Sequence, residues 1–453
     1  MGAGTFQGEQ RHPEPPRWRV HRLASIVVPE TGLVSGLGQG AAPSNRTALQ
    51  ERTQVLVESR LRPPFLFCQR PPEGAKSGPM SQADKILEMA LEIGFDLAGL
   101  APFRAPREAE HYRSWIAQDR HASMGWMKTN LAVIDDPKLF VPKGRTLLMV
   151  GLSHARPPLE LPGGGRVARY AAGRDYHNWI DKRLKRLARQ MVAAGLIDGA
   201  RSAVDAVPLM ERSHAQEAGL GFASKAANLL HPRLGPWYFL GELVLDIELD
   251  PTPADLPTGS CGTCTACLDA CPTGALVAPG ELDAGRCLSW ATIEQRGSVP
   301  HDLRAKLGDW VFGCDICSEV CPWGEGVPSQ EERFPVHPEI SAGSLVDWLA
   351  LDPDPEAFKQ KFQGTAIRRA GREGLSANAA LVLGNRPSES GRIALQSALE
   401  TDPSPKVRES AAWGLLHGHG QDKGVRDQVA GALQQEQDPD ARAALRTSLE
   451  LED

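Results

Sequence analysis

The sequence predicts a multidomain protein of the α+β class, and three features of the chain lead to this prediction. With 453 residues, the chain is long enough for about three domains. Helical and strand-like patterns alternate after residue 80, whereas the alanine- and leucine-rich part beyond residue 330 has a helical pattern. Eight of the nine cysteines lie between these parts, within residues 261–321. We therefore expect an N-terminal α/β domain, a cysteine-bearing domain and a C-terminal helical domain.

The composition argues against a membrane protein and against a generally basic nucleic-acid binder. The net charge of −6 gives no overall positive field, although a local basic patch is compatible with it. The longest apolar runs, such as residues 147–152, are far shorter than the roughly 18 residues that a membrane span needs. We therefore expect a soluble protein with no membrane partner.

The first 79 residues differ in composition from the rest of the chain. They contain 10 Pro, 9 Gly and no Asp, and they lack both a long apolar core and the adjacent arginine pair of an export signal. Two interpretations remain open. Residues 1–79 are a disordered extension, or Met80 is the true start and the upstream residues are not native.

The segment at residues 80–255 is predicted to form the α/β domain because helical and extended patterns alternate along it. The predicted elements are a helix from Asp84 to Gly94, a strand over residues 95–100, a strand over residues 146–153 and a basic helix over residues 179–194. A Pro-rich linker at residues 251–257 ends this domain.

The cysteine domain is predicted at residues 256–330 and the helical domain at residues 331–453. In the helical domain, Asp402-Pro403 and Asp438-Pro439 recur 36 residues apart, each followed by an arginine within the next six residues. This period is typical of HEAT-like helix pairs. An irregular helical bundle is the alternative.

The cysteines have the spacing of iron–sulfur ligands. Residues 261–271 read Cys-x2-Cys-x2-Cys-x3-Cys and residues 314–321 read Cys-x2-Cys-x3-Cys, each followed by proline. In the bacterial ferredoxin run, three close thiolates bind one [4Fe–4S] cluster and the fourth binds another. Together with Cys287 there are eight thiolates, the number that two clusters need. We assign Cys261, Cys264, Cys267 and Cys321 to the first cluster, and Cys271, Cys287, Cys314 and Cys317 to the second cluster.

Tetrahedral zinc is the alternative occupant, because Cys-x2-Cys pairs also bind zinc. The tight triple spacing and the Cys-Pro endings favour iron–sulfur clusters. Two clusters in one module relay single electrons, so the rest of the chain is expected to build a site that receives them.

From about Met80 to the C-terminus, the chain resembles the epoxyqueuosine reductases, cobalamin-dependent iron–sulfur enzymes that complete queuosine in tRNA. The motifs that carry the resemblance are Cys-Gly-Thr-Cys-Thr-Ala-Cys-Leu-Asp-Ala-Cys-Pro-Thr-Gly-Ala (261–275), Arg286-Cys287-Leu288-Ser289, Gly313-Cys314-Asp315-Ile316-Cys317, Arg169-Tyr170-Ala171, Gly173-Arg174-Asp175-Tyr176-His177 and Glu211-Arg212.

The resemblance implies an N-terminal cobalamin-binding catalytic domain and the reduction of epoxyqueuosine to queuosine at the wobble position of tRNA, the last step of queuosine biosynthesis. It implies that reduced clusters feed cobalamin while an acid protonates the departing epoxide oxygen. Asp175 matches the family's proposed proton donor, and a buried carboxyl suits that task. Taken by position alone, Asp175 is an N-cap of the following helix.

The resemblance also implies a set of cobalamin contacts. These are Asp175, Tyr176, His177, Glu211, Arg212, Lys225, Asn228, Ser289 and Asp315. Ser289 and Asp315 neighbour ligands of the second cluster, so we expect that cluster to be the immediate donor to cobalt. Most of these residues also have a structural alternative. Tyr176 would pack in the core, and His177 would have its hydrogen bonds satisfied within the protein. Glu211 and Arg212 would form an ion pair, and Ser289 and Asp315 would form turns.

A basic segment at the start of the helical domain matches a family segment expected to contact tRNA. Its residues are Lys361, Arg368, Arg369 and Arg372. Phosphate contacts from this patch would position the anticodon stem while the target base is splayed out. A solvated helix face is the alternative. A second basic stretch, within residues 182–189, is more typical of an ordinary surface.

Two other functions remain open from the sequence. One is a reductive dehalogenase-like corrinoid enzyme acting on a small molecule, which the helical C-terminal part and the lack of an export signal disfavour. The other is a two-cluster electron carrier, which the large α/β domain disfavours. For the leading hypothesis we expect a cytoplasmic monomer with epoxyqueuosine-containing tRNA as substrate and an external reductase, flavodoxin or ferredoxin as electron donor.

Overall fold

The computed structural model describes residues 80–205, 207–252 and 259–451. The predicted extension at residues 1–79 and most of the predicted linker at residues 251–257 lie outside the described residues. The strands are β1 Leu97–Pro102, β2 Thr146–Ser153, β3 Leu159–Glu160, β4 Arg166–Val167, β5 Ala200–Ala203, β6 Phe222–Ala223, β7 Leu229–Leu230, β8 Tyr238–Leu245, β9 Leu276–Ala278, β10 Glu281–Leu282 and β11 Trp310–Phe312.

Helices make up most of the remaining regular structure. They are α1 Gln82–Glu92, α2 Ala109–Ala117, α3 Trp126–Thr129, α4 Leu131–Asp135, α5 Tyr176–Ala193, α6 Glu211–Glu217, α7 Ala266–Ala270, α8 Leu288–Ile293, α9 His301–Arg304, α10 Ile316–Glu319, α11 Pro338–Ser341, α12 Leu345–Leu349, α13 Pro355–Lys361, α14 Gly371–Asn385, α15 Glu389–Thr401, α16 Pro405–His419, α17 Lys423–Gln435 and α18 Pro439–Leu451.

The N-terminal part is built on a four-stranded sheet with the order β1-β2-β8-β5. Strand β2 coincides with the strand predicted over residues 146–153, and all of its residues are buried. A mixed α and β unit is therefore observed, but every pairing in this sheet is antiparallel. An alternation of helices and strands along the chain usually indicates parallel strands. Here helices connect β1 to β2, yet the two strands are antiparallel, so alternation alone did not predict the strand direction.

Helices cover both faces of this sheet because neighbouring residues of a strand point to opposite sides. On one face α1 and α5 pack through Ile86 and Leu184 against Leu148. On the other face, α6 packs through Ala215 against Leu147. Helix α1 begins at the N-cap Ser81, with Asp84 closing a capping box three residues later, so the predicted cap at Asp84 was placed one turn too late.

The cysteine segment shares its hydrophobic core with the N-terminal part. Tyr112 and Trp115 of α2 belong to the same buried cluster as Trp290 and Leu303. Strand β11 also pairs in parallel with β4, so backbone hydrogen bonds cross between the two parts. The cysteine segment is therefore held rigidly against the sheet domain rather than tethered to it.

The C-terminal part consists of two layers of helices. Helices α14, α16 and α18 pack in a row, and α15 and α17 lie beside them. The close approach of α14 and α16 requires glycine at their crossing, because a Cβ on Gly384 would lie 2.5 Å from the Cα of Gly414.

Arginines near the starts of α14 and α16 bind the acidic turn that precedes the next inner helix. Arg372 forms a bidentate ion pair with Asp402 at 2.5 and 2.8 Å. Arg408 pairs with Glu436 at 2.7 and 2.8 Å, and Arg442 donates to the Glu436 carbonyl. In this ladder Glu436, and not Asp438 of the recurring Asp-Pro pair, takes the place of Asp402. Arg372, which was predicted to contact RNA, is buried against Asp402 and is not available to phosphate.

The helical part is fastened to the cysteine segment by buried polar contacts. Arg304 and Glu409 form a bidentate pair at 2.9 and 3.0 Å, with 4% and 0% of their side chains exposed. Asn378 donates to the carbonyls of Thr292 and Val311 at 2.8 and 3.1 Å. Since these groups are buried, each depends on its partner for hydrogen bonding.

None of the helices in the described ranges is both long enough and apolar enough to cross a membrane.

We expect Glu409→Gln to destabilise the protein by about 3–5 kcal/mol, because it leaves the buried Arg304 guanidinium without its counter-charge. Thermal unfolding of the cluster-loaded protein followed by circular dichroism measures this as a lower midpoint. The control is Asp309→Asn, which breaks the half-exposed pair with Arg386 and should cost less than about 1 kcal/mol. Equal midpoints for the two variants would contradict the prediction.

Candidate active site

Cysteines of the two runs lie near one another in the folded chain. Burial raises the pKa of the Cys321 thiol to about 11, and the nearby Cys261, Cys267 and Cys264 push it in the same direction. Cys321 of the second run thus lies near the three thiols that are predicted to share its cluster. The short helices α7 and α10, which carry ligands of the two runs, pack against each other.

The second set gathers around Cys317. Burial raises the pKa of this thiol to about 12, and among neighbouring thiols Cys287 contributes most, followed by Cys267 and Cys271. Burial and then Cys287 also raise the pKa of Cys314. Because Cys317 lies close to Cys267 of the first set as well, the two sets are neighbours in one compact module.

Backbone and side-chain donors shape the loops around the thiols. The Ala275 N–H lies 3.3 Å from the Cys271 sulfur and the Lys225 N–H lies 3.4 Å from the Cys261 sulfur. The Lys225 ammonium donates to the carbonyls of Gly262 and Cys264 at 2.8 and 2.9 Å. N–H groups directed at cluster sulfurs are one means by which proteins tune cluster potentials.

Asp175 lies at the start of helix α5 and serves as its N-cap. Its Oδ1 accepts a hydrogen bond from the His177 N–H at 3.0 Å. The same oxygen lies 2.5 Å from Nδ1 of the His177 ring. The capping role that position alone predicts is therefore present, and it coexists with a second contact to a titratable ring.

His177 continues a polar network that sequence reasoning did not find. Its Nε2 lies 3.0 Å from the Tyr176 hydroxyl and 3.5 Å from Oδ2 of Asp205. The Tyr176 hydroxyl donates to the same Asp205 oxygen at 2.8 Å. Asp205 has a left-handed backbone with a φ of 52°, and its N–H donates to Glu211. Asp205 lacks a recognisable motif, so only the folded chain brings it to the site.

The Asp175 loop lies at the junction of all three parts of the chain. The Asp175 N–H donates to the Gly364 carbonyl at 2.6 Å, and Arg174 pairs with Thr365 as an isolated antiparallel bridge. Glu294, from the cysteine segment, lies near enough to Asp205 for that carboxylate to help raise its pKa, after the larger effect of burial. The acid loop, the cysteine segment and the start of the helical part therefore meet here.

The second cysteine set lies one short helix away from this junction. Helix α8 starts immediately after Cys287 and ends next to Glu294. Its six residues span roughly 9 Å at the α-helical rise. On the other side, the Asp315 carboxylate accepts from the Arg169 N–H at 2.7 Å. The second set is thus the one linked directly to the Asp175 region.

The structure separates the predicted cobalamin contacts into three groups. Asp175, His177, Arg212 and Ser289 are partly exposed, whereas Tyr176 and Glu211 are buried. Arg212 donates to the Ala227 carbonyl at 2.5 Å. The remaining predictions, Lys225, Asn228 and Asp315, use their side chains to brace the cysteine loops.

A buried carboxyl behind the network was also missed by sequence reasoning. Glu242 lies on central strand β8, is fully buried, and neither of its oxygens has a hydrogen-bond partner in the described part of the chain. Burial, followed by the charges of Glu211 and Asp205, raises its pKa well above the ordinary value. A glutamate in a strand of apolar residues was the available sequence signal. At neutral pH we expect Glu242 to be protonated.

The predicted RNA contacts also have different environments. Arg369 makes a bidentate ion pair with Glu294 and keeps 18% of its side chain exposed. Lys361 is exposed and pairs with Glu339 at 2.9 Å. Arg368 is partly exposed and has no ion-pair partner among the described residues. Arg368 and Lys361 are the two residues of this patch best placed to meet phosphate.

Two family models match the chain, one before and one within the cysteine segment. Residues 135–206, which contain the Asp175 loop and Asp205, match the model described as "Epoxyqueuosine reductase QueG, DUF1730". Residues 260–324, which contain all eight cluster cysteines, match the model described as "4Fe-4S double cluster binding domain".

Similar proteins and solved structures agree with these matches. An epoxyqueuosine reductase of Xanthomonas campestris pv. campestris is 37% identical over 355 residues, which cover 76% of this chain and 98% of the relative. A crystal structure of selenomethionine-labelled epoxyqueuosine reductase matches with a TM-score of 0.72 at 29% identity, over 82% of this chain and 98% of that one. An epoxyqueuosine reductase crystallised with an epoxyqueuosine-modified tRNA-Tyr stem loop matches with a TM-score of 0.68 at 28% identity, over 81% and 97%.

The fold and the site define an iron–sulfur oxidoreductase with a double-cluster module. The chain belongs to the epoxyqueuosine reductase family.

We expect Glu242 to make the free energy of unfolding of the wild-type protein fall as pH rises, and we expect Glu242→Gln to abolish this fall. In the unfolded chain Glu242 ionises near its ordinary pKa, whereas in the folded chain its pKa is raised. Between these two values unfolding releases a proton, so stability falls as pH rises, by as much as about 1.4 kcal/mol per pH unit.

Urea unfolding from about pH 5 to about pH 8 measures this slope. The exposed Glu248 provides the matched control, and Glu248→Gln should keep the wild-type slope. An unchanged slope in Glu242→Gln would show that Glu242 is not a buried neutral carboxyl.

Proposed function

We propose that this protein reduces epoxyqueuosine at the wobble position of tRNA to queuosine, the last step of queuosine biosynthesis. The observation that carries the proposal is the junction of the Asp175 loop, the double-cluster module and the start of the C-terminal helices. The reaction converts an epoxide to an alkene, so it needs electrons, an acid and a means of presenting one RNA base. Each part of the junction supplies one of these.

Two [4Fe–4S] clusters are the proposed electron source. We assign Cys261, Cys264, Cys267 and Cys321 to the first cluster, and Cys271, Cys287, Cys314 and Cys317 to the second cluster. The grouping of the thiols and the match over residues 260–324 support clusters over zinc. The proposed order of transfer ends at the second cluster, because helix α8 runs from Cys287 to the junction.

Cobalamin is the second proposed cofactor, bound between the Asp175 loop and the second cluster. The donor set fits it, because the partly exposed Asp175, His177, Arg212 and Ser289 offer the carboxyl, imidazole, guanidinium and hydroxyl groups that pair with corrin amides. When bound, cobalamin would supply low-valent cobalt to engage the epoxide-bearing ring. Lys225, Asn228 and Asp315 are better assigned to supporting the cluster loops.

Asp175 is the proposed acid. Opening an epoxide gives its oxygen alkoxide character, and a carboxyl held at that oxygen supplies a proton. The N-cap hydrogen bond holds the Asp175 carboxyl and the Gly364 contact holds its backbone, so the carboxyl is pre-positioned before substrate binds.

The C-terminal helices are the proposed tRNA platform. We interpret them as HEAT-like repeats, on the support of the two-layer packing and the arginine ladder. Lys361 and Arg368 are proposed to contact phosphate, with Arg369 in a supporting position through Glu294. The neighbouring structure with a modified tRNA stem loop is consistent with such a platform.

The proposed domain division follows these roles. Residues 80–255 form the cobalamin-binding catalytic domain, residues 256–330 the cluster domain and residues 331–453 the helical domain. We place the protein in the cytoplasm, where its tRNA substrate is processed, as a monomer that accepts electrons from an external flavodoxin, ferredoxin or reductase.

We expect Asp175→Asn to lower turnover by about 100-fold or more, since an amide cannot donate the proton. The assay is anaerobic incubation of cluster-reconstituted protein with cobalamin, a strong reductant and an epoxyqueuosine-containing tRNA hairpin, with nucleosides read by mass spectrometry. Iron content and cobalamin retention should match wild type. No conversion by wild-type protein with both cofactors bound would refute the proposed function, and a wild-type rate in Asp175→Asn would remove the acid role.

We expect Arg368→Gln to weaken tRNA hairpin binding. We also expect it to reduce the slope of log Kd against log salt by about one, the change that the loss of one phosphate contact produces. Arg392→Gln is the matched control, because Arg392 pairs only locally with Glu389 on helix α15. Fluorescence anisotropy over a salt series measures both slopes. If the two variants share the wild-type slope, Arg368 is ordinary surface charge.

A further inference from the structure

We propose that His177 is the second proton store of the active site and resupplies Asp175 within each turnover, with Asp205 and Tyr176 holding the imidazolium. This inference rests on the proposed function, since it assigns the protons of that reaction. It goes beyond the single acid that the family resemblance implies.

The stoichiometry of the reaction requires a second donor. Converting an epoxide to an alkene takes two electrons and two protons, and the oxygen leaves as water. Asp175 carries one proton, and both protons must reach the same oxygen. A second donor in contact with Asp175 avoids waiting for bulk water in a closed site.

The contacts of His177 offer an acceptor for a proton on each ring nitrogen. The Tyr176 hydroxyl donates to Asp205 at 2.8 Å, so its oxygen is left to accept from Nε2 of His177 at 3.0 Å. On the other side, Oδ1 of Asp175 already accepts the His177 backbone N–H, so the 2.5 Å contact to Nδ1 is a second accepted bond. A ring that donates from both nitrogens is an imidazolium.

The surroundings of His177 favour this charge. Burial lowers the pKa of His177, but the hydrogen bonds and charges of Asp175 and Asp205 outweigh burial, and the net shift is upward. When Asp175 carries its own proton, its Oδ1 still accepts from Nδ1, and the Asp205 carboxylate, 3.5 Å from Nε2, remains as the counter-charge of the ring. The other titratable groups packed around Asp205 are Tyr176, Glu211, Glu242 and Glu294, all acidic. Among the described residues, the Arg369 and Arg296 guanidiniums oppose them, and both pair with Glu294.

The proton steps balance with the two electrons delivered by the clusters. Asp175 gives its proton to the epoxide oxygen as the first C–O bond breaks. The Nδ1 proton of His177 then moves to the Asp175 carboxylate. Asp175 protonates the hydroxyl, which leaves as water as the second C–O bond breaks and the alkene forms. His177 and Asp175 recover their two protons from solvent after product release.

The kinetic test is single-turnover conversion of the epoxyqueuosine hairpin by pre-reduced His177→Ala protein. We expect the rate to fall by about 100-fold with an unchanged hairpin Kd, and added imidazole to restore it in proportion to the imidazolium concentration. His419→Gln, in the C-terminal helices, is the matched histidine control and should react at the wild-type rate. A wild-type rate in His177→Ala, or a slow rate that imidazole does not restore, would overturn the proposal.

A second test does not depend on turnover. Diethyl pyrocarbonate modifies neutral imidazole, so the pH dependence of His177 modification, mapped by mass spectrometry in cluster-loaded protein without cobalamin, reports the protonation of its ring. We expect Asp205→Asn to shift the midpoint down by about one pH unit or more. An unchanged midpoint would overturn the role of Asp205. Failure of wild-type protein to convert the hairpin would instead refute the proposed function, so the two failures are distinguishable.

Discussion

The hydrogen bond from the Asp175 N–H to the Gly364 carbonyl is the constraint on which the site depends. It joins the loop that carries Asp175, the proposed acid, to the turn that begins the C-terminal helices, and the Arg174–Thr365 bridge extends the contact. Gly364 has a left-handed backbone with a φ of 73°, which glycine adopts without the strain of a side chain. The C-terminal helices are therefore part of the active-site wall, and the position of Asp175 depends on how they dock.

The cysteine segment is positioned by the same helices. Asn378 of α14 donates to the backbone carbonyls of Thr292 and Val311 in the cysteine segment, and Glu409 of α16 accepts from the buried Arg304. The Asp175 loop and the cysteine segment are thus aligned through one packed scaffold rather than across a flexible linker. Such support by rigid elements is what keeps reacting groups within the small tolerances that catalysis requires.

Sequence reasoning succeeded where chemistry is local and failed where it is tertiary. Thiolates of a ferredoxin module must lie in short runs, so the two sets of four could be predicted from spacing, and the structure brings cysteines of both runs close together. Strand β2 was found because its residues form one short apolar run. Asp205 could not be found, because no spacing relates it to Asp175. Arg372 looked like part of a basic patch, but the packing of the C-terminal helices places it against Asp402.

The charge around the junction distinguishes between the reactions that a corrinoid iron–sulfur enzyme performs. Four carboxyls, those of Asp205, Glu211, Glu242 and Glu294, crowd behind the acid loop, and the nearby Arg369 guanidinium is already paired with Glu294. Such a site binds protons readily and repels anions. Removal of a halide would release an anion into this field, whereas removal of an epoxide oxygen consumes two protons and releases neutral water. The electrostatics of the described residues therefore match deoxygenation better than dehalogenation, and they leave the tRNA phosphates to the basic residues outside the junction.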